Sequence, residues 1–476
     1  MKKRYNDNLM KKNLASLNIT LLLLIIFAFG IRIYNLNYNS LFFDEATYIR
    51  LGKEFFYGTI DSTGAYSWVG GMPIVYPPIS AIGYMLGGVI GARLINVLLG
   101  TITVYLVYIF IKQLQFFKNN SENSLSGVFG ALLFSVFPLT IHLSRIAIYD
   151  MLSFTLFISG IVFLQKFIYG EKYNSNYIWS LFSFFVSFLA KYSVLMFFPF
   201  IFLIITVYVW RVNKKRIEEV ILFILILSSI IGFYLYSHST DFMHFVTSQV
   251  VNRDTTTILS KFDLFKNITV FMYIPGVIGL LYFINLKKIQ TVLLLFLSVV
   301  PLFIHLISQN TATLQQNAIF SLLFIAPLAA GAFVCLTNKY KYLGYSLVFI
   351  YIFAIYIQTA PQRYDFEHFW PNSTSAMNFL QNRVTKGDKV LAEADDVAAV
   401  ALERKMPMTD VIGPYDFSYK KQNGTSAYIR AVQDAYFTYI ELEKNGNTFE
   451  NSILPEIIKN YTLIYKESYF EIYKLK

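Results

Sequence analysis

The sequence predicts an α-helical multispanning membrane protein of about 11 transmembrane helices, carrying a small extracytoplasmic α/β domain at its C-terminus. Three observations predict it. Of the 476 residues, 55% are hydrophobic and 18% aromatic while only 14% are charged, and the mean hydropathy is +0.49, far from the usage of soluble domains. Apolar runs of bilayer-spanning length recur from residue 17 to residue 360. From about Pro361 onward the apolar runs stop and short alternating segments separated by polar residues take over.

Lys2, Lys3, Arg4, Lys11 and Lys12 precede the first apolar run, which lacks a small-residue cleavage site and reads as a retained first span at 17–34. Further spans are expected at 92–113, 125–143, 151–169, 176–190, 193–210, 217–237, 268–286, 289–308, 318–337 and 342–360. The Gly-rich stretch 77–90 follows the double proline Pro77-Pro78, which a helix interior does not accept, and is assigned to the outer interface. With the N-terminus inside, every inner loop is basic: Lys112 and Lys118; Lys166 and Lys172; Arg211, Lys214, Lys215 and Arg216; Lys287 and Lys288; Lys339 and Lys341. That agrees with the excess of Lys and Arg in cytoplasmic loops. Residues 1–360 form the membrane domain, with outer loops at 34–91 and 237–267; residues 361–476 form the outer α/β domain. Within that domain, 389–394, 461–466 and 470–474 read as strands, and 373–383 and 426–442 as helices. The expected location is the plasma membrane.

The net charge of +11 does not indicate nucleic acid, because the bases cluster in short tracts between apolar runs. Cys335 is the only cysteine, so no disulfide forms within the chain. The five histidines are scattered, no His-Glu-x-x-His or Cys cluster marks a metal site, and no Gly-x-x-x-x-Gly-Lys loop marks a nucleoside triphosphate site. No cofactor is required, and a divalent metal is not indicated.

The chemistry centres on Asp44-Glu45, just beyond the first span and followed by the apolar positions Ala46, Ile49, Leu51, Phe55 and Phe56. This spacing predicts an interfacial amphipathic helix with both acids at its N-terminus, where Asp44 serves as helix cap, general base or both. Tyr76 closes the first outer loop, where it either ends the loop or lines a sugar pocket. Arg93, Arg145, Asp150 and Lys191 stand at the outer ends of spans. Ionisable groups there are costly and are paired or functional; Arg145 and Asp150 either pair with each other or serve a site. Three cations on one face suit one demand, holding a lipid phosphate and stabilising its charge as it leaves. The Gly70-Gly71 pair reads as a turn. His238, His244 and the acids at 241–263 read as solvated loop residues, with a substrate lid as the functional alternative.

Taken together, Asp44-Glu45-x-x-Tyr48, Tyr76-Pro77-Pro78, Gly91-Ala92-Arg93, Ser144-Arg145-x-x-x-x-Asp150 and Ala190-Lys191 resemble the GT-C glycosyltransferases. The resemblance is to the branch of protein O-mannosyltransferases and lipid A aminoarabinose transferases, and covers about the first 210 residues. It implies a polyprenyl-phosphate-sugar donor, a lipid, glycan or protein acceptor on the outer face, and inverting transfer without a nucleotide. It implies Asp44 as catalytic base with Glu45 beside it, and Tyr48, Tyr76, Arg93, Arg145, Asp150 and Lys191 as substrate-binding residues. Val75-Tyr76 stands where the aminoarabinose transferases carry an acid and a lysine, which argues against that acceptor and a metal there. The alternative is a lipid-linked-sugar flippase or other transporter, which calls for internal symmetry and broken midplane helices that the hydropathy does not show. A third class, the oligosaccharyltransferases and glycan polymerases, is opposed on its first member by a short soluble tail and the absence of Trp-Trp-Asp.

Overall fold

The computed structural model describes residues 2–170, 175–251, 257–308, 313–415, 417–444, 448–467 and 469–476. Lys172 and residues 252–256 of the expected outer loop lie outside them. The chain opens with α1 (Lys2–Ile33), then the amphipathic α2 (Phe43–Phe56) and α3 (Pro77–Gln113). There follow α4 (Asn120–Val136), the short α5 (Pro138–Leu143), α6 (Asp150–Tyr169), α7 (Asn176–Ala190), α8 (Phe198–Val212), α9 (Ile217–Ser237) and α10 (Ser239–Val246). The bundle closes with α11 (Ile258–Phe283), α12 (Lys288–Ser308) and α13 (Leu314–Gln358).

Two of these helices double back. In α3 the backbone leaves helical geometry at Gly87 and Gly88, the latter at φ +60° and ψ −147°, a conformation glycine adopts without a Cβ clash. Gly83 and Gly91 face each other so closely that a Cβ on Gly91 would collide with the Gly83 carbonyl. Residues 77–86 are therefore a short helix folded against the start of the following span, as the expected break before residue 92 requires. Pro77 and Pro78 take the first two positions, where missing N–H groups cost nothing. In α13 the reversal is at Lys341 (φ +33°), which separates the expected spans 318–337 and 342–360.

Seven runs among the described residues are long and apolar enough to cross a bilayer, and two more, Asn18–Ile33 and Asn176–Ala190, are apolar but shorter. The difference from eleven has identifiable sources: the Leu314–His368 run holds two of the expected spans, and α4 stops at Val136 because Pro138 begins a new helix. The expected start of a span at 268 is corrected to Ile258, where Thr257 caps the Ser260 N–H. Residues 258–267 are thus helical and form the first turns of α11.

Beyond α13 come α14 (Ala360–His368), α15 (Thr374–Gln381), β1 (Val390–Ala392), α16 (Asp395–Leu402), β2 (Val411–Ile412) and the small β3–β4 hairpin (Ser418–Tyr419, Gln422–Asn423). Then follow α17 (Thr425–Gln433), β5 (Tyr439–Glu443), α18 (Thr448–Asn460), β6 (Tyr461–Glu467) and β7 (Phe470–Leu475). The main sheet has the order β2-β1-β5-β7-β6; β1 is parallel to β2 and β5, and β7 is antiparallel to β5 and β6. The expected helix 426–442 ends at Gln433. Ala435 takes φ +57°, and Tyr439–Glu443 becomes the central strand. Leu41, Ala46, Ile49, Ala92 and Ala147 share a core with this domain's Ala398, Leu402 and Met377, so the domain packs directly on α2.

Candidate functional site

The site is built around α2. Its N-cap position belongs to Phe42, and it is the Glu45 carboxylate that reaches back to the Phe42 N–H at 3.0 Å, half of a capping box. Capping therefore falls to Glu45, not to Asp44. The same carboxylate accepts from the Ala147 N–H at 2.7 Å and pairs bidentately with Arg93, at 2.8 and 2.7 Å. Arg93 also donates to the carbonyls of Leu36, Asn39 and Ser40 at 2.8, 3.1 and 2.9 Å. A guanidinium has five N–H donors, and all five are engaged at a side chain 0% exposed. The residues expected to serve as a second acid and a phosphate ligand are thus bound to each other, tying α2 to α3 and to the loop before α6.

Asp44 is placed differently. It is half-buried in the first turn of α2, one helical turn from Tyr48 on the same face. Burial pushes the Tyr48 hydroxyl well above its ordinary pKa, and Tyr149, Asp44 and Asp150 raise it further. Tyr48 packs against Tyr149 at 4.9 Å and edge-on against Tyr76 at 5.6 Å between ring centroids. Tyr76 itself is buried, its hydroxyl donating to Asn96 Oδ1 at 3.2 Å, so it supports Tyr48 from beneath.

The cations divide in the same way. Arg145 pairs with Glu367 of α14 and donates to the carbonyls of Tyr34 and Asn35 at 2.7 and 2.8 Å. Its Nε has no partner among the described residues. Arg145 does not pair with Asp150. That acid, opening α6, pairs with Lys191. Lys191 lies 5.5 Å from the Tyr149 ring centre and its ammonium reaches Gln316 Oε1 at 3.4 Å, so Asp44, Tyr48, Tyr149, Asp150 and Lys191 form one polar group.

Sequence reasoning missed several of its parts. Gly70 and Gly71 are more than a turn: Tyr192 N donates to Gly70 O at 2.8 Å and Met72 N to Leu189 O at 2.7 Å. A Cβ on Gly71 would strike the Ala190 carbonyl. The glycines let the first outer loop lie against the Lys191 backbone. Lys261, passed over as loop, is 1% exposed, and its ammonium donates to the His305 carbonyl at 3.0 Å. Through His305 Nε2 and Asn317 Nδ2, 3.1 Å apart, it connects to the N-terminus of α13 beside Gln316. Its detectable signal was position: Lys261 falls on the stripe Phe265, Ile268, Met272 that α11 buries. His238 and His244 are not simply solvated: His238 stacks on Tyr234, and His244 Nδ1 lies 3.2 Å from Ser67 O, bringing α10 onto the first outer loop. Among the described residues no group of three His, Cys, Asp or Glu side chains is close enough to hold a metal ion.

Comparison with known proteins follows the same outline. Residues 72–235 match the dolichyl-phosphate-mannose-protein mannosyltransferase family, a window that holds Tyr76, Arg93, Arg145, Asp150 and Lys191. Comparison with curated proteins returns no match. The fold is similar to that of ArnT from Cupriavidus metallidurans, solved bound to undecaprenyl phosphate, with a TM-score of 0.68 at 10% identity over 95% of this chain and 97% of that one. It is also similar to an Archaeoglobus fulgidus oligosaccharyltransferase tethered to an acceptor peptide, with a TM-score of 0.57 at 12% identity over 97% of this chain and 74% of that one. Residues 72–235 are thus similar to the dolichyl-phosphate-mannose-protein mannosyltransferases, within a chain whose fold is similar to that of ArnT and the oligosaccharyltransferase.

Proposed function

We propose that this chain is an inverting membrane glycosyltransferase that moves a sugar from a polyprenyl-phosphate donor to an acceptor hydroxyl outside the cell membrane, with Asp44 as general base. The observation that carries the reading is the division of labour in the acidic pair. Glu45 is consumed by Arg93 and two backbone N–H groups, while Asp44 stays half-buried at the mouth of α2 beside Tyr48. Support for the donor class comes from the matched mannosyltransferase window and from the undecaprenyl phosphate bound by ArnT.

In the reaction Asp44 takes the proton of the acceptor hydroxyl, whose oxygen bonds to the anomeric carbon. The bond from that carbon to the phosphate oxygen breaks, and its electron pair leaves with the phosphate. Lys191, Lys261 and the Nε of Arg145, which has no hydrogen-bond partner among the described residues, are the donors disposed to receive the phosphate charge. Arg93 and Glu45 act as positioning residues, with Tyr76 behind Tyr48. The basic tracts support a reading with the N-terminus in the cytoplasm and the Asp44 end outside.

The test is mass spectrometry of lipid and surface-glycan extracts from cells with the wild-type gene, with Asp44→Asn, and with the gene deleted. Loss of one sugar from the same glycan in mutant and deletion supports the proposal. A mutant that matches wild type removes Asp44 from the base role, and accumulation of a lipid-linked precursor in the deletion alone replaces transfer by transport.

A further inference from the structure

Two guanidiniums share one aromatic ring. Tyr38 stands in the segment between α1 and α2 and is 8% exposed. The guanidinium carbon of Arg93 lies over its ring, 4.3 Å from the centre, and that of Arg145 lies over it at 4.9 Å. The segment that follows α14 holds the ring in place. Trp370 packs edge-on against it at 6.0 Å, and Trp370 Nε1 donates to the Ser40 carbonyl at 3.2 Å. Asn39 Nδ2 donates to the carbonyls of Glu367 and Trp370, each at 3.1 Å. The Tyr38 hydroxyl is buried and has no hydrogen-bond partner among the described residues.

The face of an aromatic ring is electron-rich and attracts a cation lying over it, more strongly where water is excluded. The two cations depend on the ring unequally. Arg93 has its donors engaged by Glu45 and by the carbonyls of Leu36, Asn39 and Ser40, which fix its plane without help. Arg145 is anchored only at its two terminal nitrogens, by Glu367 and by the carbonyls of Tyr34 and Asn35, and its Nε has no partner among the described residues. A ring face against that plane restricts its tilt and offsets the repulsion from Arg93. We infer that Tyr38 is a positioning residue for the lipid phosphate: its ring, and not its hydroxyl, sets the Arg145 guanidinium before the ligand arrives. The phosphate then meets a cation already ordered, which strengthens binding without adding a contact. This inference rests on the reading of Arg145 as a phosphate-side cation.

The experiment measures binding of undecaprenyl phosphate to the purified full chain in detergent, per folded molecule, with the ligand-free unfolding midpoint followed in parallel. Position 38 carries in turn Tyr, Phe, a monofluorinated, a trifluorinated and a pentafluorinated phenylalanine introduced by nonsense suppression, and Leu. Fluorine drains the negative face of the ring while changing its shape little. Tyr38→Phe should bind as the wild type does, with a midpoint no lower, because it removes a buried hydroxyl that bonds nothing. Affinity should then fall stepwise with fluorination, to tenfold or more below wild type for the pentafluorinated ring and for Tyr38→Leu. In an Arg145→Gln background the dependence should vanish, since the ring acts through Arg145. A flat series with intact wild-type binding, or the same slope without Arg145, would overturn the positioning role and leave Tyr38 as packing. Affinity lost already in Tyr38→Phe would overturn it in favour of the hydroxyl. A wild-type chain that binds no undecaprenyl phosphate would remove the phosphate-side reading of Arg145 and this inference with it.

Discussion

Glu45 and Arg93 form a two-pronged ion pair in which neither side chain has any exposed surface. Such a pair stabilises little by charge alone, because both ions lose their water, but removing one partner leaves a buried charge and costs about 3–5 kcal/mol. Glu45→Ala and Arg93→Ala are therefore expected to lower the unfolding midpoint and the yield of folded protein. Arg93→Lys should do nearly as much, since an ammonium has three donors for five acceptors. Thermal unfolding of the purified variants checks this. A stable Glu45→Ala protein that has lost only transfer would return Glu45 to the chemistry.

Asp44→Asn should behave in the opposite way. The substitution keeps the shape and one acceptor oxygen at a half-buried position while removing the charge and the basicity, so the fold and donor binding should persist while kcat falls about a hundred to ten-thousandfold, the usual contribution of a general base. The measurement is transfer from a polyprenyl-phosphate-sugar in detergent, paired with donor binding. Retained turnover in Asp44→Asn would end the assignment.

The contrast between these neighbours shows what the sequence could and could not carry. Period 3.6 after Asp44 and the recurring apolar runs made α2 and the bundle readable, because burial on one face leaves a pattern along the chain. The pairing of cations was not readable, because it depends on which helices meet: Arg145 finds Glu367, 222 positions away, and Asp150 is left for Lys191. Lys261 was hidden because hydropathy fails to see polar first turns of a span. The strand Tyr439–Glu443 was lost to a preceding helical pattern, though its burial on both faces makes it the centre of the sheet.

For Lys191 and Asp150, buried together, structure and chemistry separate in a double-mutant series. Lys191→Met alone should destabilise by leaving the Asp150 carboxylate without its partner. Lys191→Met with Asp150→Leu should recover the unfolding midpoint but not transfer, because the phosphate-side cation is still missing. A double variant with restored transfer would make the pair structural.

Lys261→Gln tests the second buried cation. An amide keeps a donor for the His305 carbonyl but brings no charge. Loss of a charge-assisted hydrogen bond of about 1.5–3 kcal/mol should weaken binding of a polyprenyl phosphate tenfold or more, with a midpoint close to wild type. A lower midpoint with unchanged binding would confine Lys261 to closing the end of α12.

The C-terminal domain grips α2 through Arg50, which reaches Asp396 at 2.9 Å and Asp395 at 3.5 Å, and through Lys53 with Glu403. Because α2 also carries Asp44, the grip holds the proposed base in place. Arg50→Glu should lower kcat more than it raises KM, and Arg50→Glu with Asp396→Arg should recover part of the loss. The kinetic split distinguishes this from a contact that only adds stability, for which kcat per folded molecule would not change.

Within the C-terminal α/β domain, stability should fall as pH rises. Glu441, on the central strand β5, is 0% exposed; its Oε2 accepts from the Ala394 N–H at 3.3 Å, and its Oε1 has no partner among the described residues. Burial, and after it the negative charges of Glu443 and Glu393, push its carboxyl up from 4.5 to about 8. The folded domain therefore holds a proton that the unfolded chain has released, and the stabilisation, complete below about 4.5, is lost as pH climbs towards 8 and changes little above it. Asp395, raised to about 7 chiefly by burial, acts with the same sign. Opening free energies of the Ile440 and Ile472 amides, from hydrogen exchange on the full chain between pH 5 and 9, should decline across this window. Glu441→Gln, which keeps the shape and cannot ionise, should flatten most of the decline and be the more stable protein at pH 9. An unchanged slope in that variant would show that Glu441 is ionised in the folded domain and that its charge is met by groups other than those named here.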